Sequence, residues 1–345
     1  MKVVLGLLLV AAALCGQLQE EEDNAALKNN YPIRLAWVNR CSYWYGDNIA
    51  KAWGVPGFAP DHIYNTIVLT FWSCSDRHMD MVLMWQNAGQ WFGDQSSFGK
   101  TTDEIQKNLR KTYNKHGIKI LVSAFGDSEW PTTGGKDPVE CGTKLGKFVV
   151  DNNLDGADND WEDNAAMEAG KGEEWNIAFT KAYRAVAPAK SYILTHSPQA
   201  PYFKADFYKN HAYVTVHKAV GSMINWYNVQ FYNQAASRYD TYETLFIADN
   251  GPVFNGTAFK QIVELAKVPA RQLVVGKPAS TSDASNTGYM EKSSLSAAMK
   301  RAYNELGYYS GVAFWQYFSD ASGDIVKTVA TYMKEECEKD KTKCV

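Results

Sequence analysis

The densest run of carboxylates in the chain is Asp151-Asn152-Asn153-Leu154-Asp155-Gly156-Ala157-Asp158-Asn159-Asp160-Trp161-Glu162-Asp163. Read as a calcium loop, it puts Asp151, Asn153 and Asp155 at positions 1, 3 and 5, Gly156 at 6 and Glu162 at 12. Position 8 would then be Asp158, where such loops carry an apolar residue, and no second loop is there to pair with it. Gly170 and Gly172 also follow too soon for a good exiting helix, and no metal site is expected. A solvated acidic turn would need no regular spacing. A strand would send Asp158, Asp160 and Glu162 to one face, because side chains alternate along it. That alternation, with the apolar approach through Phe148, Val149 and Val150, favours the strand. Three carboxyls crowded on one interior face cannot all ionise freely, which makes the outermost a candidate general acid.

Positioning such a face requires a sheet whose strand ends converge. Short apolar, β-branched runs recur at Ile33 to Val38, Thr66 to Phe71, Ile118 to Val122, Tyr192 to Thr195, Asn228 to Phe231, Leu273 to Val275 and Gly311 to Trp315. Each reads as a buried strand, and the segment Leu154 to Trp161 makes the eighth. Amphipathic segments between them, Thr102 to His116, Glu174 to Val186, Ala258 to Lys267 and Ser294 to Leu306, read as helices. Alternating β and α elements at this length predict an α/β fold, a single (β/α)8 TIM barrel. No linker rich in Pro, Gly or Ser divides it, and no short repeat stands out beyond the βα period.

The segment Asp155-Gly156-Ala157-Asp158-Asn159-Asp160-Trp161-Glu162 resembles the DGxDxDxE signature of family 18 of the glycoside hydrolases, the chitinases and their relatives. Leu121-Val122-Ser123-Ala124-Phe125-Gly126 is similar to that family's strand-3 motif, Val229-Gln230-Phe231-Tyr232-Asn233-Gln234 to its strand-6 motif, and Ala313-Phe314-Trp315-Gln316 to its strand-8 end. Thr195 to Pro201 and Gly276 to Ala279 resemble the secreted plant and fungal branch. The resemblance implies that Glu162 protonates the glycosidic oxygen and later activates water. Asp160 would orient the substrate's own N-acetyl group, and Asp158 would share a proton with Asp160. The acetamido oxygen would attack the anomeric carbon, giving retention of configuration. Tyr232 would hydrogen-bond that acetamido group, and Trp315 would form the floor beneath the sugar. Gln230, Asn233 and Gln199 are expected to bind substrate, and Asp155, Gly156 and Ser123 to support the site. Three positions depart from the family pattern: Phe125 stands where strand 3 usually has Gly, Asn233 where many members carry Asp, and Asn159 where an apolar residue is usual.

Composition narrows the partners. The 345 residues carry 35 Lys and Arg against 38 Asp and Glu, a net charge of -3, which lacks the basic excess that nucleic acid requires. Aromatic residues make up 13% of the chain, with 11 Trp and 20 Tyr, enough flat apolar faces for sugar stacking. Residues 1–16 read as a signal peptide, Lys2 followed by an apolar run from Val3 to Gly16 that is too short to span a membrane. Residues 17–345 then form the exported barrel with a short Cys-containing tail. Cys15 leaves with the signal, and among Cys41, Cys74, Cys141, Cys337 and Cys344 an oxidising compartment favours disulfides with one thiol left over. The sequon Asn255-Gly256-Thr257 permits one N-glycan in a eukaryote.

The expected activity is endo-hydrolysis of chitin or other β-1,4-linked N-acetylglucosamine oligosaccharides by a secreted monomer that needs no cofactor. Cleavage of the chitobiose core of N-glycans is the enzymatic alternative. A binding protein on the same barrel is the non-enzymatic one, disfavoured because Glu162, Asp160 and Tyr232 are all present.

Overall fold

Eight parallel strands close into one barrel in chain order in the computed structural model, which describes residues 31–39, 64–92, 98–235, 237–249 and 251–340. They are β1 Ile33–Val38, β2 Thr66–Trp72, β3 Lys119–Gly126, β4 Gly156–Trp161, β5 Ile193–His196, β6 Trp226–Gln230, β7 Leu273–Pro278 and β8 Gly311–Trp315. All eight predicted strands are present, and helices cover the outside, so the chain is a (β/α)8 barrel. The apolar faces explain the burial: Ile33, Leu35, Val68, Leu121, Ile193, Trp226, Val274 and Ala313 fill the barrel interior. A second apolar layer lies between strands and helices.

The predicted helices at 102, 174 and 294 are found as Thr102–Lys115, Gly172–Val186 and Lys292–Leu306. The first is fixed at its start by a reciprocal cap between Thr101 and Glu104. The predicted helix from Ala258 to Lys267 is a correction, because only Phe259–Gln261 is α-helical before the chain widens into a π turn over Ile262–Ala266. Phe148, Val149 and Val150 are also corrected. They belong to the helix Pro138–Asp151, whose first turn has Pro and whose Asp137 side chain accepts from the Glu140 amide.

Two features aim β4 at its site. Gly156 lies so close to β5 that a Cβ would run into the Ile193 backbone. Next to it, the buried Asp155 carboxylate accepts from the Ile120 amide at 2.9 Å, Arg110 Nε at 2.9 Å and Asn114 Nδ2 at 3.1 Å. Asp155 therefore ties the start of β4 to β3 and to the helix Thr102–Lys115. Residues 156–161 run as a strand, which carries Glu162 away from Asp151 and is incompatible with a twelve-residue calcium loop.

A disulfide joins Cys74, just beyond β2, to Cys141 in the helix Pro138–Asp151, and Cys337 is disulfide-bonded as well. The expected signal peptide at residues 1–16, Cys41 and Cys344 lie outside the described residues. Among the described residues no helix is long and apolar enough to cross a membrane.

Candidate active site

Strand register sets Ser123, Asp158 and Thr195 side by side across β3, β4 and β5. The fully buried Asp158 carboxylate accepts from Ser123 Oγ at 2.8 Å, Thr195 Oγ1 at 2.6 Å, Trp37 Nε1 at 3.1 Å and Asn228 Nδ2 at 3.2 Å. Ser197 Oγ lies 2.7 and 2.8 Å from its two oxygens. Indole and amide N–H groups can only donate, so Asp158 is an acceptor clamped by five side chains. Ser123 thus meets the innermost carboxylate. Asp160 hydrogen-bonds Glu162, and the charge of Asp158 below also acts on it.

One level higher, Gln230 Nε2 bridges Asp160 Oδ1 at 2.8 Å and Glu162 Oε1 at 2.9 Å, and reaches the Ser197 carbonyl at 3.0 Å. Gln199 also hydrogen-bonds Glu162, and its backbone forms a bridge with Gln230. Burial raises the Asp160 carboxyl well above its usual range, and the negative charges of Glu162 and Asp158 add to this. Glu162 is raised too, first by burial and further by the charge of Asp127. Hydrogen bonds from Gln230, Asp160 and Gln199 pull it back down. They favour the ionised form and so stabilise Glu162 after it gives up a proton.

The walls are aromatic. Trp315, at the end of β8, stacks on Phe71 with centroids 5.9 Å apart and tilts against Trp37 at 6.5 Å. Tyr232 is buried beside the carboxyls, whose charges, with burial first, raise its hydroxyl far above the usual phenol range. Among the described residues that hydroxyl has no hydrogen-bond partner, which leaves its proton for a ligand. Asn233 is spent otherwise: its Oδ1 accepts from the Ser285 amide at 2.7 Å and latches the loop after β7 to the loop after β6. Only its Nδ2 is left for a substrate.

Asn159 faces the helices, as its place between two inward residues requires. Its Nδ2 donates to Asn176 Oδ1 at 2.7 Å and lies 3.4 Å from His196 Nδ1, while its Oδ1 is buried without a partner. Thr180 donates its hydroxyl proton to the Asn176 carbonyl at 2.6 Å, so it accepts from His196 Nε2, 3.2 Å away. This assigns the ring proton to Nε2 and leaves Nδ1 to accept from Tyr213, 3.1 Å away. Burial pushes the imidazole down to about 3, so His196 is neutral in ordinary conditions.

Sequence reasoning missed Trp37, Thr195, Ser197 and Asn228 as ligands of Asp158. The pairs Thr195 and Ser197, and Asn228 and Gln230, are polar residues two apart at strand ends, and that period would have found them. Trp130 lies at the same end of the barrel. It is 56% exposed on the loop after β3, which Thr132 and Thr133 fasten to Trp161 and Asp163, the two neighbours of Glu162 in the chain.

No family model matches the sequence, and no curated protein matches it. The fold is similar to that of a GH18 chitinase from Pseudoalteromonas aurantia, with a TM-score of 0.63 and 24% identity over 86% of this chain and 98% of that one. It also resembles a fungal endo-beta-N-acetylglucosaminidase of glycosyl hydrolase family 18, with a TM-score of 0.57 and 16% identity over 87% and 99% of the two chains. A xylanase and alpha-amylase inhibitor protein from Scadoxus multiflorus has the same architecture, at a TM-score of 0.50 and 13% identity over 86% and 96%. These likenesses establish the shared barrel.

Proposed function

We propose that this chain is a secreted, retaining glycoside hydrolase of family 18 that cleaves β-1,4-linked N-acetylglucosamine polymers. The observation that carries the reading is the hydrogen-bonded pair Asp160 and Glu162, bridged by one Gln230 amide and seated on the clamped Asp158. A carboxyl held protonated above its usual range at the C-terminal end of a barrel strand suits proton transfer to a leaving oxygen. The bond between the anomeric carbon and the glycosidic oxygen breaks as Glu162 delivers its proton to that oxygen. The acetamido oxygen of the same sugar closes onto the anomeric carbon, oriented by Asp160 and by the free proton of Tyr232. Held in place, this internal nucleophile avoids the entropic cost of a second reactant. The Glu162 carboxylate, stabilised by its three hydrogen bonds, then takes a proton from water that opens the cyclic intermediate from the face the leaving group vacated. Trp315 supports the reacting sugar.

The likeness to a fungal endo-beta-N-acetylglucosaminidase supports a second reading, cleavage within the chitobiose core of N-glycans. Both use the same carboxyls. Incubation with chitin oligosaccharides beside a high-mannose glycoprotein separates them: release of N,N'-diacetylchitobiose alone is expected, and deglycosylation alone would favour the second reading. Glu162→Gln should lower kcat by about 10²-fold or more on whichever substrate is cleaved, with binding within a few-fold. Cleavage of neither substrate would leave a carbohydrate-binding role for the barrel.

A further inference from the structure

The sequon at Asn255 lies in an unusual patch. Among the described residues nine large apolar side chains are exposed, and three of them, Phe207, Val253 and Leu265, are 43%, 41% and 65% exposed around this asparagine. Val253 precedes it by two residues. Phe207 packs edge-on against Phe254 with centroids 5.3 Å apart, and Leu265 Cδ1 lies 3.5 Å from where a Cβ on Gly256 would stand. Asn255 itself is exposed. Its side chain is oriented by Lys204, whose Nζ reaches Oδ1 at 2.7 Å. An ammonium group only donates, so the bound atom is the oxygen, and Nδ2 is free. An apolar patch of this kind, centred on a modifiable amide, calls for a cover.

We propose that Asn255 carries an N-linked glycan on Nδ2, and that its first N-acetylglucosamine lies over Phe207, Val253, Phe254 and Leu265. In the attachment step Nδ2 forms a bond to C1 of the sugar as the bond from C1 to a lipid pyrophosphate breaks. The amide loses one proton, and the lipid pyrophosphate is the leaving group. The donor is a lipid-linked oligosaccharide of the secretory pathway, an oxidising compartment in keeping with the Cys74–Cys141 disulfide. Thr257 supplies the third sequon position, although its hydroxyl also donates to the Phe254 carbonyl at 2.6 Å and so holds the turn. The ring face of a sugar is largely C–H, and laying it on this patch removes apolar surface from water. The inference does not depend on the proposed activity.

The test uses the full chain secreted from eukaryotic cells, with Glu162→Gln as parent so that no activity of its own can trim the sugar. Intact mass should show one oligosaccharide, absent in Asn255→Gln. An added endoglycosidase then leaves a single N-acetylglucosamine, and this form is compared with the same chain secreted into a bacterial periplasm without glycan. The single-sugar form should melt about 2 °C or more higher, and Phe207→Ser should abolish the difference. An unmodified Asn255 overturns the proposal, as does a glycan whose first sugar leaves Tm unchanged or whose effect survives Phe207→Ser.

Discussion

The proton on Glu162 is governed by residues of three different kinds. Burial raises its affinity first, hydrogen bonds from Gln230, Asp160 and Gln199 oppose that, and the charge of Asp127 adds to it. Crowding of the three motif carboxyls, the cause that spacing alone suggests, acts instead on Asp160, where Glu162 and Asp158 both raise the carboxyl after burial does. Activity should therefore peak in mild acid and fall on an alkaline limb that belongs to the coupled pair. Asp127→Asn removes one repelling charge, so the limb should move to lower pH, and less so at high salt because Asp127 is exposed. Asp158→Asn should fail in another way. Either orientation of the amide points an N–H at a fixed donor, Trp37 Nε1 or Asn228 Nδ2, and a loss of about 1–3 kcal/mol of stability is expected. The checks are kcat against pH for both variants and chemical denaturation of Asp158→Asn; a limb unmoved in Asp127→Asn would leave burial as the sole cause. The inward carboxyls were legible because alternation is local. The clamp on Asp158 was not, since its five donors lie in or just beyond strands spread over Trp37 to Asn228 and meet only when the barrel closes.

At the end of β3 an element is shaped by two adjacent residues in left-handed backbone. Gly126 has φ +58, and a Cβ there would come within 2.5 Å of the Phe71 ring, the ring that stacks on Trp315. Gly126→Ala should therefore cost about 1–3 kcal/mol through overpacking and shift Trp315, which we propose as the floor beneath the sugar, lowering kcat more than it raises KM. Phe125 has φ 76, where the resemblance expects glycine. The strain of such a position, about 1–3 kcal/mol, is offset by a ring wholly buried among Trp72, Trp175 and Phe179. Placing there the glycine that the resemblance expects, with Phe125→Gly, should destabilise the protein in thermal melts, because an emptied aromatic site costs about 3–5 kcal/mol. A more stable variant would mean that the strain outweighs the packing. Seven strands were readable from their apolar runs, and β4 from its alternating carboxyls. Helix Pro138–Asp151 was not, because its apolar end abuts the carboxylate run and imitates the approach to a strand, although Asp137 and Pro138 mark its start.

For the molecule as a whole, buried ionisable groups pull stability in opposite directions across the pH range. Asp160 and Glu162 hold their protons more tightly when folded. Their contribution is complete below the free carboxyl value of about 4 and is lost as pH rises through the folded values. His196 runs the other way. Its folded value is pushed down to about 3, so the stability linked to its neutral ring is full above the free value of 6.5. As pH falls from there the unfolded chain gains a proton that the native protein refuses, at about 1.4 kcal/mol per unit. The acid that keeps Glu162 protonated therefore erodes the wall behind β4. His196→Gln isolates this contribution. At pH 7 the variant should be less stable by about 1–3 kcal/mol, since Gln can still reach Thr180 but leaves the Tyr213 hydroxyl without its acceptor. Glutamine does not titrate, and the deficit should shrink steadily as pH is lowered toward 4. Denaturation curves of both proteins at pH 7, 5.5 and 4 read it directly. A deficit that stays constant would mean that the native imidazole accepts the proton, and the acid limit on stability would then lie with a different group.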